Sequence, residues 1–324
     1  MSRSTISTFQ LFEMFPDPES ARLHIEAVRW PNGPRCPICG GDRITARKSG
    51  YYRCNACYLR LRAIPPIIVD GKPQKRPGEG DFTVRTRTIF ERSHIPLHKW
   101  LYGMYLLMTA CKGISSMQLA KEIGVTQKSA WFMLGRLREA CGGDLTTLSD
   151  IVEIDETYIG GKESNKHEYK KLHAGRGTVG KTAVLGIRER GGRTRAKPVA
   201  GTGATTLQPK IRAAIAPGST IHTDEHGGYT GLGYDYTHET INHGAGEYVR
   251  DDVSTNSIES VWAVLKRGLH GVYHHASPKH LHRYVDEFTF RLNDGNVERH
   301  TLARLESLTE ASFGKRLTYK ALIA

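Results

Sequence analysis

The chain has 324 residues, of which 39% are hydrophobic and 24% are charged, values that are ordinary for a globular protein and exclude a disordered or fibrous chain. Its length predicts two or more domains. No apolar run approaches the roughly 18 residues that a membrane helix needs, and no signal-peptide core follows the N-terminus. We therefore expect a cytoplasmic protein with no membrane partner.

The charge of the chain favours a polyanionic partner. Its formal net charge is +13, and residues 162–200 contain eleven Lys or Arg and three Glu. Contacts between such side chains and phosphates would make binding depend on salt concentration. A merely basic soluble protein is the alternative, and the local concentration of charge favours nucleic acid over it.

Four of the six cysteines form two pairs with C-x-x-C spacing: Cys36 with Cys39, and Cys54 with Cys57. Two such turns can present four thiolates to one ion, which predicts a closed tetrahedral zinc site rather than disulfides. The other two cysteines, Cys111 and Cys141, fall in helical patterns and are predicted to be buried as small hydrophobic side chains.

Segments of different character flank this zinc ribbon. A short helix is predicted over residues 19–30, ended by the Pro31–Pro34 turn. Residues 62–81 are rich in proline, glycine and basic residues, which predicts an exposed basic loop.

A helical pattern covers residues 97–140. The segment Gly113–Ser116 precedes a second helix, and Thr126 is a candidate N-cap for a third. Two helices joined by a short turn predict a DNA-binding helix-turn-helix, with an ordinary helical hairpin as the alternative. The predicted recognition helix would offer four polar side chains to DNA: Gln127, Lys128, Arg136 and Arg138.

Strand patterns begin at Ile151. The predicted strands cover residues 151–159, 182–190, 194–200, 219–224 and 235–241, and the predicted helices begin near residues 205, 255 and 278. A meander of three strands followed by helix, strand, strand and helix predicts an α/β domain with a mixed sheet. This is the element order of an RNase H-like fold.

Three carboxylates lie at the ends of predicted strands or on a predicted helix of this domain. Asp155 and Asp224 each close an apolar strand, whereas Glu259 lies on the helix predicted over 255–268. Carboxylates so placed can converge on a pair of divalent cations, which favours phosphodiester chemistry with Mg²⁺ or Mn²⁺. Taken singly, each acid could be a turn residue or part of a solvated face.

Neighbouring residues refine this hypothesis. Glu156 and Glu225 follow the two aspartates, and a continuing strand would turn both towards the opposite sheet face. Lys266 lies nearly two helical turns after Glu259 and could contact a DNA phosphate. Asn256 shares roughly the same helix face and could replace or assist Glu259 as a metal ligand.

Several of these motifs together resemble the DDE transposases of bacterial insertion sequences, in the zinc-ribbon ISXO-like group. The resemblance rests on Arg29–Pro31 before the first cysteine pair, Asp155–Lys162, Thr223–Glu225, Thr255–Ser260 and Leu265–Gly268. It implies an RNase H-like core, Mg²⁺-dependent cleavage at terminal inverted repeats, and transfer of a 3′-hydroxyl end into target DNA.

Carried over to this chain, the resemblance makes Asp155 and Asp224 the first two catalytic acids. The third falls on an Asn-x-x-Glu motif, Asn256 and Glu259, of which we favour Glu259. One segment departs from the family pattern, because Phe82–Thr86 follows the ribbon only after the proline-rich loop.

The predicted organisation follows from these motifs. Five segments are expected: an N-terminal helical segment (1–34), the zinc ribbon with its basic insertion (35–93), the helix-turn-helix (94–145), the catalytic domain (150–292) and a C-terminal tail (293–324). Further DNA contacts are predicted at Lys162, Lys170 and Lys171.

The expected partner is double-stranded DNA, both element ends and target, bound by a homodimer that assembles on it in the bacterial nucleoid. One alternative is a domesticated, catalytically silent DNA-binding protein that retains the ribbon and the helix-turn-helix. A second is a structure-specific RNase H-like nuclease.

Overall fold

The computed structural model describes residues 5–48, 50–64, 68–69, 72–73, 80–161, 163–172, 177–242, 249–250 and 252–324. The chain divides into two compact units. Unit 1 contains Met1–Thr109, Ser116–Ala140 and Glu298–Ala324, and unit 2 contains Ala110–Ser115 and Cys141–Val297. Within the described ranges, no helix combines the length and apolarity needed to cross a bilayer.

Eleven α-helices lie in the described residues: α1 Thr8–Met14, α2 Pro18–Arg29, α3 Asn55–Arg62, α4 Leu97–Thr109, α5 Ser116–Ile123, α6 Gln127–Cys141, α7 Ala204–Arg212, α8 Asn256–Gly268, α9 Pro278–Leu292, α10 Thr301–Ala311 and α11 Tyr319–Ile323. The strands are β1 Ile44–Ala46, β2 Tyr51–Cys54, β3 Ile68–Val69, β4 Lys72–Pro73, β5 Asp81–Thr83, β6 Ile151–Ile159, β7 Thr182–Glu189, β8 Thr194–Val199, β9 Thr220–Asp224, β10 Thr237–Ile241, β11 Val249–Arg250 and β12 Val253–Ser254.

The ribbon of unit 1 is a small antiparallel sheet with the order β1-β2-β5. Its core contains three of the paired cysteines together with Phe82, and Trp30 and Tyr52 pack against them. Most of the proline-rich insertion lies outside the described residues, although β3 and β4 form a short antiparallel pair within it. The prediction of an exposed basic loop therefore stays a prediction.

The predicted helices of residues 97–140 are confirmed as α4, α5 and α6. Thr126 is the N-cap of α6, because its Oγ1 accepts a hydrogen bond from the Ser129 backbone N–H at 3.3 Å. Gly124 takes the positive φ of 62° in the turn between α5 and α6, a conformation that glycine adopts without steric penalty. Helix α4 contributes much of the unit 1 core and is itself almost fully buried.

The segment predicted as a C-terminal tail, residues 293–324, contains two helices that are part of unit 1. Helices α10 and α11 belong to unit 1, where Arg304 of α10 is 1% exposed and donates to the Met108 carbonyl. Leu322 of α11 packs against Gly135 of α6 so closely that a Cβ on Gly135 would lie 2.8 Å from Leu322 Cδ2. The last segment of the chain therefore completes the core that the first segments begin.

Unit 2 is built on a mixed sheet with the strand order β10-β9-β6-β7-β8. Strands β6, β7 and β8 form an antiparallel meander, while β9 is parallel to β6 and β10 is parallel to β9. The five predicted strands are confirmed, with β10 beginning at Thr237 rather than 235. The short β11–β12 pair has no counterpart among the predictions.

Alternation along β6 divides its side chains between two cores. Val152 and Ile154 face a core that includes Leu207 and Ile211 of α7. The opposite face is covered by α8 and α9, whose buried side chains include Ile258, Val261, Trp262, Leu265, Val285 and Phe288. Both faces of β6 are thus covered, and the second face carries the polar residues of the candidate site.

A buried carboxylate fixes the first turn of α8. Glu153 of β6 is 1% exposed, and its Oε2 accepts from the backbone N–H groups of Ser257 at 2.8 Å and Ile258 at 3.1 Å. Thr255, the N-cap of α8, makes no side-chain capping bond. The helix N-terminus, which favours negative charge, is therefore satisfied by a residue of the sheet. Arg190 pairs with the same carboxylate at 3.2 Å.

One of the cysteine predictions is wrong. Cys141 is buried as expected, but Cys111 is exposed. The reason is that α4 ends at Thr109, so Cys111 lies in the turn beyond the helix rather than on its apolar face.

Candidate catalytic and metal sites

The four paired cysteines form one cluster in unit 1. Their Sγ atoms all lie within 4.8 Å of one another. Cys36 Sγ is 3.8 Å from Cys57 Sγ, and Cys39 Sγ is 3.6 Å from Cys54 Sγ. A tetrahedron with Zn–S bonds near 2.3 Å has edges of about 3.8 Å, so the quartet has the dimensions of a structural zinc site.

The electrostatics of the quartet also fit a cation. Burial raises the pKa of the Cys36 thiol and raises that of Cys57 to about 12, whereas backbone donation from Gly41 lowers that of Cys39 to about 7. Buried thiols of this kind become thiolates when a metal ion compensates their charge. The cluster therefore has the ligands, spacing and burial that zinc requires.

Asp155 lies near the middle of β6, on the face that α8 covers. Its Oδ1 accepts from the Glu156 backbone N–H at 2.8 Å, and its Oδ2 accepts from Trp262 Nε1 at 2.8 Å. Both bonds fix the plane of the carboxylate, and each oxygen retains a further lone pair.

Asp224 ends the neighbouring parallel strand. The β6–β9 pairing ends at Glu153 and His222, two residues before Asp155 and Asp224. Two residues further along a strand, a side chain lies on the same face of the sheet. Besides burial, the charge of Asp224 raises the pKa of Asp155, so the two carboxylates lie close to each other. Neighbouring strands lie about 5 Å apart, so the end of β9 brings the Asp224 carboxylate close to that of Asp155. The backbone N–H of His226 donates to Asp224 Oδ1 at 3.0 Å and fixes the turn that follows.

The acids crowd one another. Burial raises the pKa of Asp155 to about 6, and repulsion from Glu156 and Asp224 acts in the same direction, against the Trp262 hydrogen bond. Burial and like charges disfavour the ionised form of this carboxyl group, and a nearby cation would stabilise that form. The pair Asp155 and Asp224 thus fits a divalent ion bound by oxygen ligands.

A third acid, Glu156, is close to this pair and was not predicted as part of the site. It faces the α7 side, where Tyr229 donates to its Oε2 and His226 Nδ1 lies 3.4 Å from its Oε1. Burial raises its pKa, and the charge of Asp224 adds to the effect. The prediction that Glu156 turns to the opposite face from Asp155 agrees with these contacts. The adjacent Asp-Glu dipeptide was the available signal.

The other predicted site residues lie on α8. Asn256 and Glu259 are exposed in its first turns, and Lys266 is exposed in its last. Among the residues that the structure describes, only the cysteine quartet brings three or more potential ligand atoms within 4.8 Å of one another. Glu259 therefore does not close onto Asp155 and Asp224 in this conformation, although its helix covers their face.

The chain matches two family descriptions. Residues 147–293 match the ISXO2-like transposase domain, and residues 16–60 match the transposase zinc-ribbon domain. An uncharacterized protein in transposable element ISH50 of Halobacterium salinarum is 30% identical over 256 residues, which cover 75% of this chain and 80% of the relative. The chain belongs to the ISXO2-like transposase family.

Among solved structures, the crystal structure of a pre-cleavage Mos1 transpososome aligns with 92% of this transposase and 98% of its own chain. The identity is 13% and the TM-score is 0.18, a likeness too low to support any argument.

Two residues predicted to face DNA in this transposase are instead buried, which corrects the prediction. Arg136 is 6% exposed and Arg138 is 4% exposed. The Arg136 guanidinium donates to the carbonyls of Ile89 at 2.8 Å, Glu91 at 3.0 Å and Leu317 at 3.1 Å. Its donors hold segments of unit 1 together and are not presented to DNA.

The other residues predicted to contact DNA are exposed or partly exposed where the structure describes them. Gln127 and Lys128 are exposed at the start of α6, and Lys128 Nζ lies 5.0 Å from the centre of the Tyr319 ring. Lys170 is exposed, and Lys171 pairs with Glu168 at 2.6 Å. Lys162 lies outside the described residues.

Zinc content can be tested directly. We expect the purified transposase to hold one zinc ion per chain and Cys57→Ser to lose it, because serine cannot supply the thiolate of a closed four-ligand site. Metal analysis after gel filtration measures the ratio. Cys111→Ser, an exposed cysteine outside the quartet, should keep the full content, and a wild-type chain free of zinc would contradict the assignment.

Asp155→Asn should change stability in a pH-dependent way. The folded pKa near 6 exceeds the ordinary value of 3.8. Stability from the protonated carboxyl is therefore present below about pH 4 and lost as the pH rises through 6. The unfolding free energy of the variant relative to wild type should rise by up to about 3 kcal/mol over that window. Urea denaturation without added divalent ions measures this. A pH-independent difference would contradict the expectation, and added Mg²⁺ should shift the balance towards wild type.

Proposed function

We propose that this protein is a DNA transposase whose unit 2 is an RNase H-like catalytic core. The observation that carries the proposal is the placement of Asp155 and Asp224 on adjacent parallel strands, on the face covered by the helix that bears Glu259. The strand order of the sheet, with an antiparallel meander followed by two parallel strands, supports the RNase H-like assignment.

The proposed chemistry is cleavage at terminal inverted repeats followed by attack of the 3′-hydroxyl on target DNA. Asp155, Asp224 and Glu259 would hold Mg²⁺ or Mn²⁺. When bound, two such ions stabilise the attacking and leaving oxygens of an in-line phosphoryl displacement. Burial, together with repulsion from Glu156 and Asp224, raises the pKa of Asp155, and this supports a cation at this position.

Helix α8 would supply the remaining polar groups. Glu259 and Asn256 are one turn apart, so either can approach the aspartate pair from the same side. We favour Glu259, since an anionic ligand offsets more of the positive charge of the metal ions. Lys266 would hold a DNA phosphate as a point charge.

DNA recognition is proposed for unit 1. The exposed start of α6, with Gln127 and Lys128, has the placement of a recognition helix, whose N-terminal residues reach base edges. The zinc ribbon (35–93) and the helix-turn-helix (94–145) would bind element ends, while Lys162, Lys170 and Lys171 would add phosphate contacts beside the catalytic core (150–292). Two ends must be held together for transposition, so we infer a homodimer that assembles on DNA.

The proposal is tested with labelled double-stranded DNA that spans the flanks of the gene. Zinc-loaded protein with Mg²⁺ should cut at inverted repeats, and Asp155→Asn or Asp224→Asn should reduce cutting at least about 100-fold, since even loss of an outer-shell partner of a metal reduces activity 10- to 100-fold. Mapped 3′ ends give the result. Glu225→Gln, the exposed neighbour of Asp224, is the matched control.

Other outcomes would replace the proposal. Specific binding without cuts by the wild-type protein would indicate a catalytically silent DNA-binding protein. Cuts that follow branched or unpaired structure rather than repeats would indicate a structure-specific nuclease. Glu259→Gln and Asn256→Ala, compared in the same assay, decide which residue of α8 is the third ligand.

Lys128 and Arg136 should separate DNA binding from folding. Lys128→Ala is expected to weaken DNA binding and to reduce the slope of log affinity against log salt by about 1. Arg136→Ala should instead lower the free energy of unfolding by at least about 2 kcal/mol, because three carbonyls lose a charged donor. Fluorescence anisotropy over a salt series and urea denaturation measure the two effects. Equal loss of salt slope in both variants would contradict the assignment of Lys128.

A further inference from the structure

Trp262 is a buried residue of α8 that contacts the candidate active site. It is 4% exposed, and its indole N–H donates to Asp155 Oδ2 at 2.8 Å. A buried indole N–H needs an acceptor, and here that acceptor is one of the two aspartates proposed to bind metal. The tryptophan is therefore joined to the site by a polar bond as well as by packing.

The Trp262 ring packs against the backbone of a glycine in the neighbouring strand. Gly186 of β7 lies opposite Asp155 in the sheet register. A Cβ at Gly186 would lie 2.3 Å from Trp262 Cζ2 and 2.4 Å from Cη2. Only a residue without a side chain leaves room for the ring at this point, so the sheet accepts Trp262 directly beside Asp155.

A second contact fixes the same helix one turn earlier. Glu153, two residues before Asp155 on β6, accepts from the N–H groups of Ser257 and Ile258. Glu259 lies between these residues and Trp262, so the part of α8 that carries it is held to β6 on both sides. The two contacts together determine the rotation and height of Glu259 over the sheet.

We propose that Trp262 is a positioning residue for divalent metal binding by the catalytic carboxylates. Its indole N–H orients the Asp155 carboxylate. Its packing against Gly186 fixes the position of α8, and therefore the direction from which Glu259 can reach the metal ions. The inference rests on the proposed function. Hydrogen bonds to ligating carboxylates act in this way in metal sites, where their removal weakens metal affinity about 10- to 100-fold.

The experiment uses full-length, zinc-loaded protein and Mn²⁺ as the probe. Trp262→Phe keeps an aromatic ring and removes the N–H, so its dissociation constant for Mn²⁺ in calorimetry should rise about 10- to 100-fold. Leu265→Ala is the matched control, because Leu265 is 2% exposed on the same helix and has no polar contact with the carboxylates. It should lose stability in urea but keep the wild-type affinity.

A second variant keeps the test decisive if Trp262→Phe does not fold. Gly186→Ala retains the indole but displaces the ring, and it should weaken Mn²⁺ binding in the same direction. A readout without turnover is the indole ¹⁵N–¹H spectrum, in which Mn²⁺ should broaden the resonance that is missing from Trp262→Phe before those of the other three tryptophans.

The outcomes separate the two hypotheses. Wild-type affinity for Mn²⁺ in both folded variants would overturn the role of Trp262 and leave the metal site intact. Failure of the wild-type protein to bind Mn²⁺, or binding that Asp155→Asn does not weaken, would overturn the proposed active site itself. Weakened binding in Trp262→Phe and Gly186→Ala, but not in Leu265→Ala, supports the inference.

Discussion

The contact between Glu153 and the first turn of α8 is the constraint on which the geometry of unit 2 depends. A carboxylate at 1% exposure is stable only when its charge is fully compensated, and here two backbone N–H groups, the Ser257 hydroxyl and Arg190 share it. Arg190 also donates to the Asp252 carbonyl at 2.8 Å and contacts Ser254 and His222. One buried charge thus connects β6, β9, β12 and α8, and the proposed site residues of α8 take their positions from it.

The charges of the neighbouring acids Asp155, Glu156 and Asp224 are compensated less completely than that of Glu153. Glu153 has its full set of donors, whereas Asp155, Glu156 and Asp224 repel one another and two of them have raised pKa values. The same sheet therefore carries one carboxylate used for architecture and a group of carboxylates whose charge is only partly offset. Such a difference within two residues of one strand is typical of a site in which stability has been given up for ligand binding.

Periodicity in the sequence was sufficient for the strands and helices of unit 2, because β6, β7 and α8 each have a regular apolar pattern set by burial on a defined face. It could not assign the polar residues to roles. Glu153 and Ser257 are 104 residues apart, and Arg136 meets the Leu317 carbonyl 181 residues later, so no local pattern distinguishes these side chains from exposed ones. Arg136 was for this reason predicted to contact DNA, and Glu156 was set aside. The zinc site, by contrast, could be predicted from the sequence, because each C-x-x-C pair lies within one local turn and its spacing determines how the two thiols are presented.

The path of the chain has a consequence for how the protein is made. All but six residues of unit 2 form one continuous stretch, whereas unit 1 needs Glu298–Ala324 in addition to its two earlier segments. During synthesis, unit 2 is complete before unit 1 has α10, whose Arg304 donates to the Met108 carbonyl. The Leu317 carbonyl, which accepts from Arg136, is also still missing at that point. At elongation rates of about 5–20 residues per second, the missing segment follows within roughly 1–5 s. A nascent chain therefore has its carboxylate-bearing unit before it has a finished unit 1, and the order of translation itself delays the completion of unit 1.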